Sequence, residues 1–282
     1  MSHSQPKVSI GMPVYNGEKY IRNALDALLA QTFTNFELVI SDNASTDKTE
    51  KICNEYAFRD ERIRYVRQAE NRGAAANFQL VVDEAVGEYF MWAAYDDFWE
   101  PEFIAQALTL LTDTSIGFAF PTFKLKSIHY GIQKKISGDT FKGIEDKSRA
   151  RRILSFANIH NRSHKCNLVY SIFRTNILRE AIAIQDISSD DLFGLVMLGI
   201  TRGTVMDKCY FSKRYSQLWP GFRKKIFVRP EKIALFEKAR DDMFNRAKSL
   251  FPELSITLEL IRSNYKPYKH SHGFKIIRNL FP

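Results

Sequence analysis

The first 120 residues alternate short apolar runs with segments whose apolar residues recur at helical spacing. Val8–Val14 is a β-branched run, and Glu18–Gln31 follows it with leucine and isoleucine on one helical face. Predicted strands at Glu37–Asp42, Ile63–Arg67 and Glu88–Ala94 are each followed by a further helical pattern. Strands that alternate with helices of this length predict βαβ units. We therefore expect a layered α/β fold with a mostly parallel sheet.

The pattern becomes less regular in the second half of the chain. Gly117–Leu125 predicts a fifth strand, Ser189–Leu198 a helix, and Val169–Phe173 and Tyr210–Tyr215 further strands. The polar segment Lys134–Lys147 predicts a loop or a hairpin. From Pro230 to about Leu250 apolar residues again recur at helical spacing. We expect one α/β domain over residues 1–220, built of the halves 1–120 and 121–220, and a basic helical C-terminal extension over residues 221–282.

Charge is distributed unevenly between the two halves. Residues 1–120 contain 10 Lys and Arg against 18 Asp and Glu, whereas residues 121–282 contain 31 against 14, which gives the net charge of +9. An acidic half suits cation binding, and a basic half suits a phosphate-bearing or membrane-surface partner. The acidic first half and the lack of a nucleic-acid motif argue against nucleic-acid binding.

Hydropathy and cysteine content restrict the class of protein further. No apolar run approaches the roughly 20 residues that a membrane span requires, and the N-terminus lacks the pattern of a secretory signal. The three cysteines show no C-x-x-C pairing, so neither a disulfide framework nor a zinc knuckle is predicted. We expect a cytoplasmic protein.

Polar residues follow three of the predicted strands directly. They are Pro13–Glu18, Ser41–Asp47 and Tyr95–Asp97. Ligands of open parallel sheets bind beyond the carboxyl ends of the strands, so these segments predict a pocket with Tyr15 as an aromatic wall and Asp42 as an acceptor for a base. Two adjacent carboxylates, as in Tyr95–Asp97, suit Mg²⁺ or Mn²⁺ bound together with a diphosphate.

These motifs together resemble glycosyltransferase family 2. The resemblance lies in VSIGMPVYNGE (Val8–Glu18), VISDNASTD (Val39–Asp47), NRG (Asn71–Gly73) and GEYFMWAAYDD (Gly87–Asp97), in the family's order and spacing. It is strong over residues 7–125 and weak over residues 165–220. It implies the GT-A fold, a Rossmann-like mostly parallel sheet flanked by helices, with a nucleotide-binding half at 1–120 and an acceptor half at 121–220. It also implies inverting transfer of a sugar from a nucleoside diphosphate.

The resemblance implies a set of donor-binding residues. The Asp96 and Asp97 pair would bind the metal, Mn²⁺ or Mg²⁺. The first acidic position of the family's D-x-D element is Ala94 here, which removes one contact to ribose or metal. Arg72 has two interpretations, a contact to the nucleotide sugar or a solvated charge on a loop. The residues implied to bind the nucleotide sugar are Pro13, Tyr15, Asn16, Glu18, Asp42, Arg72, Asn77, Asp96 and Arg214.

The catalytic base of the family lies in an acidic pair that opens a helix in the second half. Asp190 and Asp191 form such a pair here, and we expect Asp191 to be the base, with Asp190 as the alternative. Acidic residues are also common in first turns because they interact favourably with the helix dipole. The base would accept the proton of the acceptor hydroxyl, and Arg214 would stabilise the leaving diphosphate.

Two functions follow from these observations. The first is transfer of a sugar from a UDP- or dTDP-sugar to a hydroxyl of a glycan or lipid-linked acceptor in surface polysaccharide synthesis. The second, suggested by Ala94, is a nucleotide-sugar or glycan binding module that has lost the reaction. The basic and aromatic tail Tyr265–Pro282 either contacts an anionic membrane, as a peripheral protein on its inner face, or packs on the main domain.

Overall fold

A computed structural model describes residues 5–127, 133–159, 165–185 and 190–215, together with 238, 241–242, 244–255 and 259 near the C-terminus. The tail Tyr265–Pro282 and most of the predicted extension 221–282 lie outside the described residues. In the described part, nine strands and seven α-helices follow one another along the chain. The strands are β1 (Val8–Val14), β2 (Phe36–Asp42), β3 (Ile63–Arg67), β4 (Tyr89–Trp92), β5 (Phe98–Trp99), β6 (Ile116–Ser127), β7 (Gln133–Ile136), β8 (Ile172–Arg174) and β9 (Arg202–Tyr215). The α-helices are α1 (Ile21–Leu29), α2 (Thr49–Arg59), α3 (Ala74–Asp83), α4 (Phe103–Leu110), α5 (Arg149–Asn158), α6 (Thr175–Ile184) and α7 (Asp190–Ile200).

The strands form one sheet with the order β3-β2-β1-β4-β8-β6-β9-β5, and β7 pairs with β6. The first four strands run parallel to one another, and β6 and β9 are also parallel. The short strand β8 lies antiparallel between β4 and β6 and so joins the two halves. The register pairs Val14 with Asp42 and Asp42 with Arg67, so β1, β2 and β3 end at the same edge. This architecture confirms the predicted α/β class.

The core forms where helices cover the sheet. All seven residues of β1 are buried, as a central parallel strand requires. Helix α1 buries Ile21, Leu25 and Leu28 on one face, in agreement with its predicted helical spacing. Trp92 of β4 makes edge contacts with the rings of Phe90, Phe173 and Phe193. This aromatic cluster fixes β4, whose end carries two acidic residues, against β8 and α7.

The second half departs from the sequence-based expectations in three places. The strand β5, at the end of the first half, was not predicted, because it has two residues and is held by pairing with the distant strand β9. The segment expected to be a loop or a hairpin at Lys134–Lys147 contributes most of β7, which pairs with β6, and a 3-10 helix, Gly138–Glu145. The segment expected to be a strand at Val169–Phe173 begins as a 3-10 helix, Lys165–Tyr170, and becomes extended only in β8. The strand expected at Tyr210–Tyr215 begins eight residues earlier, at Arg202, because it pairs with β6 along its length.

Part of the C-terminal region packs against the domain. Residues 244–250 are helical, and Phe244, Ala247 and Phe251 are buried. A side chain at Gly199 in α7 would collide with the ring of Phe251, so the glycine permits this close approach. Within the part of the chain that the structure describes, no helix is both long and apolar enough to cross a bilayer.

Candidate active site

The loops that follow β1 and β2 are joined by hydrogen bonds at the carboxyl edge of the sheet. The amide of Asn16 donates to Ser45 Oγ at 2.9 Å, and the amide of Thr46 donates to Asn16 Oδ1 at 2.8 Å. Asn16 has φ of 53°, a left-handed conformation that asparagine tolerates better than most residues. The exposed Glu18 accepts from the amide of Lys48 at 2.8 Å. Asn16 and Glu18 therefore shape the predicted nucleotide pocket through the backbone of the second loop.

The side chain of Asp42 is fully buried beneath these loops. Its Oδ1 accepts from the amide of Ser45 at 2.8 Å, and its Oδ2 accepts from the hydroxyl of Tyr65 at 2.7 Å. Burial and the neighbouring carboxylate raise the pKa of Tyr65, which keeps this hydroxyl a donor. Asp42 thus orders the loop after β2, and its contact with a nucleotide base stays a prediction.

Asn77 connects α3 to the ends of β1 and β2. Its Oδ1 accepts from Ser41 Oγ at 2.6 Å, and its Nδ2 donates to the carbonyls of Ser41 at 3.1 Å and Val14 at 3.3 Å. Because Asn77 is buried, its role in the structure is to hold this edge together. Arg72 is exposed on the neighbouring loop, where its amide donates to Asn43 Oδ1 at 2.9 Å.

An exposed aromatic ring stands at the rim of this edge. Tyr15 is 42% exposed, whereas Pro13, also predicted to bind the nucleotide, is buried in β1 and pairs with Ser41 of β2. Tyr95, from the loop after β4, packs closely on Gly17 of the loop after β1. A Cβ added to Gly17 would lie 3.0 Å from the tyrosine ring. The loop after β4 is therefore packed directly on the loop after β1, as the predicted donor pocket requires.

The acidic pair after β4 meets β9 from the second half of the chain. The amide of Arg214 donates to Asp97 Oδ1 at 2.9 Å, and Arg214 Nε donates to the carbonyl of Asp96 at 3.1 Å. The Arg214 guanidinium also lies 4.1 Å from the ring centroid of Tyr20. The structure therefore brings together Asp96, Asp97 and Arg214, which are more than 110 residues apart in sequence.

Lys213 is the nearest cation to the buried carboxylate of Asp97. Its Nζ lies 3.6 Å from Asp97 Oδ2 and 4.0 Å from the ring centroid of Tyr170. Asp97 is only 4% exposed, and burial raises its pKa to about 6 although Lys213 opposes the shift. Asp97 is thus held as an internal ion pair with a lysine.

The first turn of α7 lies close to the same lysine. Burial, and then the neighbouring charge of Asp191, raise the pKa of Asp190 to about 7, while Lys213 acts to lower it. The acidic pair predicted to contain the base and the acidic loop after β4 therefore share Lys213 as a neighbour. Sequence analysis did not identify Lys213 or Tyr170 as site residues. Adjacent residues of a strand point to opposite faces of the sheet. The predicted strand Tyr210–Tyr215 therefore already indicated that the side chains of Lys213 and Arg214 lie on different faces.

The acidic residues differ in how well they suit a divalent cation. Across the described residues, no group of three or more His, Cys, Asp or Glu side chains is close enough to hold a metal. Asp96 is partly exposed and can supply one carboxylate, whereas Asp97 faces Lys213 and Ala94 has no donor. Mg²⁺ and Mn²⁺ commonly bind one or two protein carboxylates together with substrate phosphates. Asp96 fits such a site, while Asp97 as a ligand stays a prediction that its lysine partner disfavours.

Relatives with similar sequences are bacterial glycosyltransferases. An uncharacterized glycosyltransferase of Rickettsia typhi is 39% identical over 106 residues, which are 38% of this chain and 32% of that protein. TuaG of Bacillus subtilis, whose name assigns it to teichuronic acid biosynthesis, is 33% identical over 125 residues, 44% of this chain and 50% of that protein. The chain thus matches between a third and a half of the length of these relatives.

Solved structures with the same fold include two glycosyltransferases. S. aureus TarS, in a crystal structure with UDP-GlcNAc, aligns with a TM-score of 0.61 at 20% identity and covers 92% of this chain and 71% of its own. The mannosyltransferase PcManGT from Pyrobaculum calidifontis, in complex with GDP-Man and Mn²⁺, has a TM-score of 0.57 at 16% identity, with 98% and 73% covered. These similarities confirm the GT-A fold.

The motifs at the ends of β1, β2 and β4 fall within the segment that matches a known family. The profile of glycosyl transferase family 2 matches residues 9–177, which extend from β1 into α6. The matched segment covers more than half of the chain and contains the loops after β1, β2 and β4, whereas α7 and β9 lie beyond it. The chain belongs to glycosyl transferase family 2.

Proposed function

We propose that this protein transfers a sugar from a nucleoside diphosphate, UDP in the first place and dTDP as the alternative, to a hydroxyl of a glycan or lipid-linked acceptor in polysaccharide synthesis. The observation that carries the proposal is the meeting of the loop after β4 with the acidic first turn of α7 around Lys213. The UDP-GlcNAc complex of TarS and the name of TuaG support this donor and this pathway.

In this proposal the donor lies across the ends of β1, β2 and β4. Tyr15 stacks on the nucleotide, because its ring is exposed at the rim. Asn16, Glu18 and Asn77 keep the loops in place through the hydrogen bonds described above, and Asp42 orders the segment that faces the base. Arg72, exposed on the adjoining loop, is a further candidate for contact with the nucleotide.

The acidic pair of α7 provides the proton acceptor. Two neighbouring carboxyl groups that are partly buried do not ionise equally, and the raised pKa of Asp190 makes it the member that retains a proton near neutral pH. We assign Asp191 as the base. It takes the proton of the acceptor hydroxyl as that oxygen attacks the anomeric carbon. The bond from this carbon to the diphosphate oxygen breaks, the bonding pair leaves with the diphosphate, and the configuration is inverted.

Charge that collects on the leaving diphosphate is balanced by cations. Arg214 lies beside Asp96, the partly exposed member of the acidic pair, so it can stabilise the departing group. Asp96 would hold Mn²⁺ or Mg²⁺, and the ion would supply further neutralisation of the diphosphate. The Mn²⁺ complex of PcManGT supports this cofactor.

Release of nucleoside diphosphate from UDP-, dTDP- and GDP-sugars, with a panel of glycan and lipid-linked acceptors, tests the proposal. Asp191→Asn should lower kcat by about 10²-fold or more, because the proton acceptor is removed. Asp190→Asn should retain more activity, because the carboxylate assigned as the base is left in place and a group that already holds a proton near neutral pH is replaced by a neutral amide. Asp207→Asn, an exposed aspartate of β9, is the matched control and should behave as wild type. Full activity in Asp191→Asn would contradict this assignment of the base.

Ala94 supports a second candidate, a binding module that retains the fold without the reaction. A methyl group stands where the family has its first acidic residue, and Asp97 is occupied by Lys213. The same assay separates the two functions. Binding of a nucleotide sugar without turnover on any acceptor of the panel would favour the binding module, whereas turnover that depends on Asp191 excludes it.

A further inference from the structure

A basic cavity lies at the end of the sheet opposite the candidate active site. It opens beside the start of β9, whereas the site residue Arg214 is near the end of that strand. The 12 residues from Arg202 to Arg214 correspond to roughly 35–40 Å of extended chain, so the two places are separate. The cavity volume is about 450 Å³, and its walls are Ser115, Lys147, Arg152, Ile200, Thr201 and Arg202.

Arg152 is a buried cation in the wall of this cavity. It is only 6% exposed, and it donates to the backbone carbonyls of Leu198, Asp146 and Lys147 at 3.0 to 3.1 Å. These bonds use Nε and Nη1, and no acceptor for Nη2 occurs among the residues that the structure describes. No carboxylate in that part of the chain lies within 4 Å of the guanidinium. Buried charges are normally paired, so this arginine leaves positive charge uncompensated.

Two further cations line the cavity, of which Arg202 is paired with Asp113 and Lys147 is not paired within the described residues. Arg202 faces it and uses Nη2 to donate to Asp113 at 2.7 Å and to Ser115 Oγ at 2.6 Å. Lys147 is exposed at the mouth and has no carboxylate within 4 Å in the described residues. The pKa of Arg152 is lowered, chiefly by burial and further by Arg149 and Arg202, while Asp146 opposes the shift. The cations therefore repel one another, and an anion between them would relieve that repulsion.

We propose that this cavity binds the phosphate group of a phosphate ester. Nη2 of Arg152, which has no acceptor among the described residues, can donate a charge-assisted hydrogen bond to a phosphate oxygen, and a lysine at the mouth supplies a point charge. Ser115 and Thr201 add hydroxyl groups on the same walls. The volume of about 450 Å³ exceeds that of a phosphate alone, so the cavity has room for part of the molecule that carries it. The proposal does not depend on the function proposed for the other end of the sheet.

The role of Arg152 in the fold determines which variant tests the proposal. Its bond to Leu198 ties α5 to the end of α7, and its bonds to Asp146 and Lys147 fix the segment before α5, so its removal would disturb the structure as well as the cavity. Lys147 is exposed and makes no described ion pair, so Lys147→Gln removes charge and leaves the walls in place. Lys142→Gln is the matched control, because Lys142 is exposed on the preceding 3-10 helix and pairs with Asp139.

The test follows the arginine Nε–H signals of the full chain by NMR during titration with inorganic phosphate, at constant ionic strength against chloride. We expect saturable shifts of the Arg152 and Arg202 signals. Lys147→Gln should weaken the apparent affinity by about fivefold or more, Lys142→Gln should leave it unchanged, and Arg214→Gln, at the other end of the sheet, should also leave it unchanged. Shifts that do not saturate, that chloride reproduces, or that are insensitive to Lys147→Gln would overturn the proposal.

A second arm distinguishes the sources of the phosphate. Vesicles of phosphatidylcholine, with and without phosphatidic acid, are sedimented with the wild type and with Lys147→Gln. Capture that requires phosphatidic acid and is weakened in Lys147→Gln supports a lipid headgroup as the ligand. Saturable phosphate binding without such capture supports a soluble phosphate ester. If the protein neither binds phosphate saturably nor sediments with vesicles that contain phosphatidic acid, the proposal is overturned.

Discussion

Lys213 illustrates how one residue connects the two halves of the candidate active site. Its ammonium lies 3.6 Å from the buried carboxylate of Asp97, and it also acts on the pKa of Asp190 in α7. A buried carboxylate that loses its cationic partner is strongly destabilising, because the charge then remains in a medium of low polarity. The ion pair therefore contributes to stability only while Asp97 is ionised, and this makes its contribution depend on pH.

We expect Lys213→Met to lower the free energy of unfolding by about 3 kcal/mol at pH 7.5. The loss should be smaller at pH 5, because the pKa of Asp97 is already raised to about 6 and rises further without the lysine, so the carboxyl group is neutral there. Urea unfolding at the two pH values measures both quantities. Lys208→Met, an exposed lysine of the same strand, should have little effect at either pH.

The double variant Asp97→Asn with Lys213→Met provides the internal check. Removal of both charges should restore most of the stability that Lys213→Met loses at pH 7.5, because no buried charge then remains unpaired. An equal loss at pH 5 and pH 7.5, with no recovery in the double variant, would show that Lys213 acts through packing on Tyr170 rather than through charge.

Helix α7 is the element that places the acidic pair, and the C-terminal region covers its other end. Phe251 packs against Gly199, and Arg246 donates to the carbonyl of Ile184, the last residue of α6, at 3.3 Å. Arg149 of α5 lies over the ring of Phe251 and pairs with Glu253 at 3.7 Å. The described part of the C-terminal region is thus held by α5, α6 and α7 together.

Gly199→Val tests this packing, because the added side chain would collide with the ring of Phe251. We expect a loss of about 1–3 kcal/mol in the free energy of unfolding and faster amide exchange in residues 244–250. Ala183→Val, at an exposed position of α6, controls for the lower helix propensity of valine. Exchange in residues 244–250 that is as slow in Gly199→Val as in the control would contradict the observed packing.

Sequence reasoning predicted the elements whose signal is local. The strands β1, β2 and β4 are largely buried runs, and α1 has clear helical spacing, so both kinds of element could be read from the chain alone. The strand β3 was also predicted, although only Ile63 in it is buried. The two-residue strand β5 could not, because Phe98 and Trp99 are extended only through pairing with β9. For the same reason the position of Lys213 next to Asp97 was not predicted. The contact depends on where β9 runs in the sheet, and neither residue's neighbours in sequence specify that.

At the scale of the whole molecule, the candidate active site lies between an acidic half and a basic half. The loops after β1, β2 and β4 come from the first 120 residues, and α7 and β9 come from the second half. This division suits the proposed nucleoside diphosphate sugar with a divalent ion, because Asp96 of the acidic loop can supply a carboxylate to the cation and Arg214 of β9 lies beside it. The basic cavity lies at the opposite end of the sheet and shares no residue with this site.

Calorimetric titration of UDP, with dTDP and GDP in parallel, in the presence of Mn²⁺ or of a chelator, tests the central claim most directly. We expect one of these nucleotides to bind with a dissociation constant in the micromolar range, about −8 kcal/mol, and more tightly with Mn²⁺. Asp96→Ala should abolish the effect of the metal and weaken binding by about tenfold or more, whereas Lys142→Gln should match the wild type. Binding of none of the three nucleotides, or binding that Asp96→Ala leaves unchanged, would contradict the account.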